Sequence, residues 1–498
     1  MSTISRRSFV KRGGALGLVA AGPLGALTAR TAVGAEPAAA TGYGPLVDKG
    51  DLFLPAEFEY QVISTQGRLM SDGRPTPGIF DGMGAFPGRN GTTVLIRNHE
   101  NRERAGEIKV TTGAGNEYDE SAFGGNTKLV VRRERAGRDP VSGRTLYSYE
   151  VERDFAILGG TSTNCAGGLR GSHNWLTCEE VVKRSANGVK HGYIFEIDAR
   201  ADGPVAAIPV RQAGRMSHEA AIERSGIVYL TEDRGLQADP ILGTIGSCLY
   251  RYSPKPSGAG NWLIETSGPL EALKIRGEFH ANMDTLRSVG VPYPVEWVPV
   301  PEPDHDDDTD NRRDRVPGLT PTRIQAQDNG AAYFDRQEGM WAGPGQAKIY
   351  FDCTTGGAAN LGQVWEYDPG RETLTLIFES TDPARLQSPD NIVVVPRTQD
   401  ILLCEDGAGE QYVRGVTIDG ELYDFARTKT NDTEFCGACF DPDGRTLYLN
   451  QQGERGSLPD GPAEGRAVTY AIYGPFESRA GSNGKSMPGA GSAGRDAR

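Results

Sequence analysis

The chain has 498 residues, 66 of them glycine and 31 proline, and a formal net charge of −13. That much turn-forming residue argues for many short elements and few long helices. The charge argues against nucleic acid or an anionic membrane surface as a partner, and leaves acidic groups able to hold cations and, through them, an anionic substrate. Seven cysteines cannot all pair within the chain, and their spacing matches no zinc ribbon. Most read as small buried apolar residues, including Cys436 and Cys439 of the one C-x-x-C.

In chain order, the first feature is Ser5-Arg6-Arg7-Ser8-Phe9-Val10-Lys11. It is a charged n-region with the paired arginines that the twin-arginine (Tat) translocase reads. Gly14 to Ala29 is weakly apolar, broken by glycines and Pro23, and too short for a bilayer-spanning helix. Val33-Gly34-Ala35 and Ala38-Ala39-Ala40 offer the small residues a signal peptidase needs. Residues 1–40 are therefore expected to be a Tat signal peptide, the Tat translocase a partner during export, and the product secreted or on the outer side of the cell envelope without a transmembrane segment. Tat carries folded proteins, which hints at a cofactor loaded before export.

Six units then recur at roughly fifty-residue spacing, each a β-rich run, a polar or acidic turn and a second run with alternating aromatics. The first runs are Val94–Glu100, Trp175–Glu180, Ile227–Asp233, Lys348–Cys353, Ile401–Asp406 and Thr446–Gln451. Their followers are Thr127–Val131, Gly192–Ile197, Cys248–Tyr252, Val364–Asp368, Val413–Val416 and Val468–Ile472, with larger gaps after the first and third units. The spacing predicts an all-β, six-bladed propeller over residues 41–477, with loop insertions and a few short helices; a two-sheet sandwich is the competing form. In a propeller, equivalent strand ends converge on the central channel. Glu100, Glu179, Glu232 and Glu405 would then face one another there and need cations between them. Pro301 to Pro317 carries Asp304, Asp306, Asp307, Asp308 and Asp310 without the glycine and closing glutamate of an EF-hand, and reads as a solvated insertion. Residues 478–498 are Gly/Ser-rich and read as a disordered tail.

The most specific phrase is Asn164-Cys165-Ala166-Gly167-Gly168 followed by Leu176-Thr177-Cys178-Glu179-Glu180. A cysteine between asparagine and a glycine-rich turn is poorly placed as core filler. Its thiolate suits a thiophilic ion such as iron, while the paired glutamates are hard ligands suited to calcium. His99 and His218 each precede a candidate glutamate and are open as ligands, as orienting groups, as acids toward the leaving group, or as packing.

These phrases resemble the PhoX alkaline phosphatases. Further matches are Arg97-Asn98-His99-Glu100, Ser217-His218-Glu219, Tyr229–Asp233, Phe334-Asp335-Arg336-Gln337-Glu338-Gly339-Met340-Trp341, Asp390-Asn391, Cys404-Glu405-Asp406-Gly407 and Glu434–Phe440, in family order. The resemblance implies a six-bladed propeller and a secreted phosphomonoesterase with a cluster of ferric iron (Fe3+) and calcium (Ca2+). It implies Cys165 as an iron ligand, Glu100, Glu179, Glu219 and Glu338 as carboxylate ligands, and Arg336 as the grip on substrate phosphate. Glu180, Glu232, Asp233, Asp390, Glu405 and Glu434 are further candidate ligands, some for a more peripheral calcium. The chain departs from the family between Gly168 and Trp175, which bears on substrate preference. The chemistry stands beside the resemblance: a phosphate monoester needs positive charge on its non-bridging oxygens, from metal ions and a planar guanidinium. The expected enzyme is a monomer acting on small phosphate monoesters. A calcium-dependent propeller esterase or lactonase, or a non-catalytic calcium-stabilised propeller, would use the same axial carboxylates without needing Cys165.

Overall fold

β-Branched and aromatic residues alternate along the six predicted runs, and such runs pair into sheets that bury both faces between neighbours. A computed structural model describes residues 42–479 apart from 256–266, 344, 346, 431 and 454–464. All six predicted pairs of runs are adjacent antiparallel strands. Thr93–His99 pairs with Gly124–Arg138, Asn174–Glu179 with Ile194–Asp198, and Ile227–Glu232 with Tyr250–Tyr252. Ile349–Cys353 pairs with Gln363–Asp368, Ile401–Glu405 with Tyr412–Val416, and Thr446–Gln451 with Val468–Tyr473.

Each unit also has an inner strand that its composition conceals. These are Phe80–Pro87, Asn164–Arg170, His218–Arg224, Gln337–Ala342, Pro389–Val394 and Phe435–Phe440. They pack on one another in chain order, and the last packs back on the first, so the ring closes. The fold is propeller-like and nearly all β, with Thr322–Asp328 the one α-helix among the described residues. The strand Glu59–Thr65 pairs with Val468–Tyr473, so the chain's beginning completes its last sheet. Apolar clusters fill the wedges between consecutive sheets: Phe86 and Phe195 between the first two, Tyr229 and Trp365 between the third and fourth, Phe425 and Phe440 between the last two.

The aspartate-rich segment is a tied strap rather than a solvated insertion. Asp304 accepts from the Tyr193 hydroxyl at 2.6 Å, Asp306 pairs with Lys190 at 2.7 Å, and Asp308 with Arg215 at 2.7 Å. Asp310, fully buried, pairs with Arg234 at 2.7 Å and with Arg323. Cations of the protein serve these carboxylates: Lys190 also reaches Asp304, at 3.3 Å. The expected signal peptide, and the expected tail from residue 480 on, lie outside the described residues; Arg479 is anchored on Asp400 at 2.6 Å. No helix among the described residues is long and apolar enough to cross a membrane.

Candidate metal centre and phosphate site

One local device recurs six times and builds the site. The register between inner and second strand shifts near the start of every inner strand, a bulge that re-aims a side chain. The second residues of the six inner strands are Asp81, Cys165, Glu219, Glu338, Asp390 and Cys436. The residues just past the six second strands are Glu100, Glu180, Asp233, Thr354, Asp406 and Gln452. Each of these donates its backbone N–H to the carbonyl of the residue preceding the inner strand: Ile79, Thr163, Ser217, Arg336, Ser388 and Glu434, at 2.9–3.1 Å. Four of those acceptors, Ile79, Thr163, Arg336 and Ser388, have φ between 46° and 56°. This left-handed backbone is uncommon for non-glycine residues and rarest for β-branched ones, and here it turns the chain into the channel.

The inner strands lie too close for side chains at some positions. A Cβ on Gly82 would come within 2.7 Å of the Ala166 backbone, and one on Gly339 within 2.8 Å of the Asp390 carbonyl oxygen. Asn98 fixes the cysteine turn: its amide donates to the Cys165 and Ala166 carbonyls, both at 2.7 Å, and its oxygen accepts from the Trp175 indole at 2.9 Å.

The result is a contiguous set of ligand atoms. Within each of five groups they lie within 4.8 Å of one another: Asp81, Glu100 and Cys165; Cys165, Glu180 and Glu219; Glu219, Glu338 and Asp390; Asp390, Asp406 and Glu434; and Asp81, Glu434 and Cys436. Glu219 joins two of them. It is fully buried and both its carboxylate oxygens lack a hydrogen-bond partner. Burial, with Glu338, Glu180 and Asp390 around it, pushes its carboxyl far above the ordinary range. Burial and Glu100 push Asp81 up to about 8. Burial and the carboxylates of Asp81 and Glu219 push the Cys165 thiol up as well. The Gln452 amide nitrogen, with two hydrogens, faces three carboxylates: Asp81 at 3.1 Å, Glu100 at 2.9 Å and Glu434 at 2.5 Å. Such a set can be ionised together only with cations among its members, and hard oxygens beside thiols fit calcium together with a thiophilic transition metal.

Of the sequence-predicted residues, Glu100, Cys165, Glu180, Glu219, Glu338, Asp390 and Glu434 meet in this cluster. Three others turn away, each the last residue of a second strand. Glu179 accepts from His191 at 2.6 Å and from the backbone of Ser162, Gly192 and Tyr193. Glu232 accepts from the Tyr250 hydroxyl at 2.7 Å, and Glu405 from Arg414 at 3.1 Å and Gln387. The expectation that strand-end glutamates face the channel is therefore off by one: side chains alternate, and the next residue is the one that faces in. Asp81, Asp406, Cys436 and Gln452 went unread, although an acid or cysteine followed by a small residue or asparagine opens every inner strand. Cys436, expected as packing, brings its sulfur into one of these groups, whereas Cys439 sits in the core. His99 bonds the Gly78 carbonyl and Thr127, and His218 the Gly214 carbonyl, so both belong to the scaffold.

Arg336, 25 % exposed, is fastened on Asp233 by Nε and Nη2 at 2.9 and 3.0 Å and on Glu338 by Nη2 at 2.6 Å. It thereby places a guanidinium at the edge of the cluster. A second arginine that sequence reasoning passed over, Arg102, contacts Glu100 and Glu180.

The chain matches the sequence profile of the family described as alkaline phosphatase PhoX over residues 41–454. No curated protein sequence matches it. Among solved structures, PhoX of Pseudomonas fluorescens in complex with vanadate, a transition state analogue, aligns with a TM-score of 0.61 at 16% identity, covering 88% of this chain and 98% of that one. A putative 6-phosphogluconolactonase from Bacteroides uniformis aligns at 0.35 and 12% identity, over 76% of this chain and 79% of its own. The periplasmic gluconolactonase PpgL of Pseudomonas aeruginosa also gives 0.35 and 12%, over 84% and 97%. Likeness at that level carries no argument for a lactonase. The profile match, by contrast, spans most of the sequence: the chain belongs to the PhoX family of alkaline phosphatases, hydrolases of phosphate monoesters.

Proposed function

We propose that the chain is a Tat-exported, secreted phosphomonoesterase whose axial cluster holds calcium and ferric iron and whose Arg336 grips the substrate phosphate. The observation that carries the metal reading is Glu219, buried between two ligand groups with both oxygens unpartnered. Asp81, Glu100, Glu180, Glu219, Glu338, Asp390, Asp406 and Glu434 would hold the ions through oxygen, and Cys165 would hold iron through sulfur. When bound, the ions supply positive charge to the phosphoryl oxygens and acidify water. The protein's own part is positional. Asp233 and Glu338 hold the Arg336 guanidinium by Nε and Nη2, so its Nη1 meets phosphate without being reordered. The paired arginines at Arg6-Arg7 support export.

Elemental analysis of protein purified through its native export route, alongside hydrolysis of an aryl phosphate, tests the reading. Calcium and iron should both be present. Cys165→Ser should lose iron and most turnover while keeping the fold and part of its calcium, because a hydroxyl is a far poorer iron ligand than a thiolate. Wild-type iron and rate in that variant would return Cys165 to packing.

A further inference from the structure

We infer that Arg102 is a second substrate-binding guanidinium, which grips the phosphoryl oxygens from the opposite end of the carboxylate row to Arg336; this rests on reading the cluster as a phosphatase centre. The two arginines are built alike. Arg102 lies two residues after Glu100, and Arg336 two before Glu338. Arg102 donates through Nε to Glu100 at 2.9 Å and through Nη2 to Glu100 and to Glu180, the last at 2.8 Å. Arg336 uses the same two atoms, Nε and Nη2, on Asp233 and Glu338. Among the described residues, neither Nη1 has a protein partner. Both side chains stay partly open, at 23 % and 25 % exposure. Each guanidinium therefore has its Nε and Nη2 donors fastened to the cluster and its Nη1 left to donate.

The carboxylates between them form a row. Glu180 lies within 4.8 Å of Glu219, and Glu219 within 4.8 Å of Glu338. Arg102 ends this row on the Glu180 side and Arg336 on the Glu338 side, with Glu219 in the middle. A phosphate seated over ions held by the row lies between the two Nη1 groups. A monoester dianion offers three non-bridging oxygens, and one Nη1 with two hydrogens serves at most two of them. The second Nη1 thus has an acceptor waiting.

Arg102 is also held as a site residue is held, and not as a loop arginine in a chance ion pair. Its backbone N–H donates to Glu107 at 2.7 Å. The preceding Asn101 is fully buried, donates to the Ile108 carbonyl at 2.8 Å, and accepts from the Thr163 N–H at 2.9 Å. Thr163 opens the Cys165 turn, so the loop carrying Arg102 is registered on the strand that supplies the cysteine.

The test compares Arg102→Lys and Arg336→Lys in the metal-loaded enzyme, with inhibition by inorganic phosphate and metal content per molecule as readouts. Lysine keeps the charge and loses the fixed guanidinium plane and its Nη1 donors. Arg102→Lys should weaken phosphate inhibition by about ten- to a hundredfold, the range of hydrogen bonds to a charged group, with calcium and iron content unchanged. Unchanged inhibition would overturn the inference, as would any loss of metal in this variant, because Arg102 would then serve only to position Glu100 and Glu180. Arg336→Lys separates the two readings. Weakened inhibition there but not in Arg102→Lys sinks only the role of Arg102. No effect in either variant sinks the phosphate site as a whole.

Discussion

Arg336 shows how much one residue can be made to do. Its backbone, at φ 53°, ends the approach to an inner strand, and its carbonyl accepts the Thr354 N–H at 2.9 Å. Its side chain meanwhile bridges Asp233 and Glu338. The backbone role is independent of the side chain, so substitution there can be read as chemistry. Arg336→Lys is expected to lower kcat/KM on an aryl phosphate by roughly ten- to a thousandfold, the value of one charged transition-state contact. Metal content and melting temperature should stay at wild-type levels. Glu338→Gln, two residues on, should instead lose metal together with rate, since Glu338 shares its site with Glu219 and Asp390. Wild-type catalysis in Arg336→Lys would remove this arginine from the substrate, whatever the family.

At the level of elements, the unit that matters is an inner strand, its bulge and the second strand beside it. The second strands were legible because β-branched runs such as Val94-Leu95-Ile96 and Ile401-Leu402-Leu403 keep a clear pattern. The inner strands were not. Phe435-Cys436-Gly437-Ala438-Cys439-Phe440 is short, carries a glycine and is bulged, so neither period nor propensity marks it as a strand. Glu179, Glu232 and Glu405 read as channel residues, but each ends its strand and the next residue, Glu180, Asp233 or Asp406, is the one that faces in. Facing inverts with every residue, and the shift that fixes it is a backbone event with no side-chain signature. Asn101-Arg102-Glu103-Arg104 reads as an ordinary charged loop, which hid Arg102. The acid pairs give a test at this scale. Glu180→Gln should lose bound cation and most turnover with little change in stability. Glu179→Gln leaves donors from His191 and the Ser162, Gly192 and Tyr193 backbone imperfectly served, which costs about 1–3 kcal/mol of stability. Metal content per folded molecule should be unchanged in that variant. Thermal melts and elemental analysis of the pair check both halves, and equal metal loss in the two would show that the facing assigned here is wrong.

For the whole molecule, the cluster sits where the six inner strands meet. Each inner strand brings one candidate ligand side chain, four of them carboxylates, which repel across the axis that the ring must close around. Packing in the wedges holds neighbouring sheets together pairwise, and Glu59–Thr65 closes the ring on Val468–Tyr473, but neither cancels charge at the centre. Cations bound there would join every sheet to the others and favour the folded state by mass action, because the unfolded chain has no such site. Removing them should therefore act on the fold and not on activity alone. Exhaustive chelation is expected to abolish turnover and to lower the melting temperature by several degrees, since a ligand at about a hundred times its Kd contributes about 2.7 kcal/mol. The melting temperature should rise again as calcium is titrated back. Glu219→Gln sharpens the test: it removes a charge from the most crowded position, so the chelated variant should melt no lower than the chelated wild type while the calcium response shrinks. If metal-free protein, verified by elemental analysis, melts where the untreated protein does, the ions do not hold the ring together, and the carboxylates at its centre must be relieved by protonation instead.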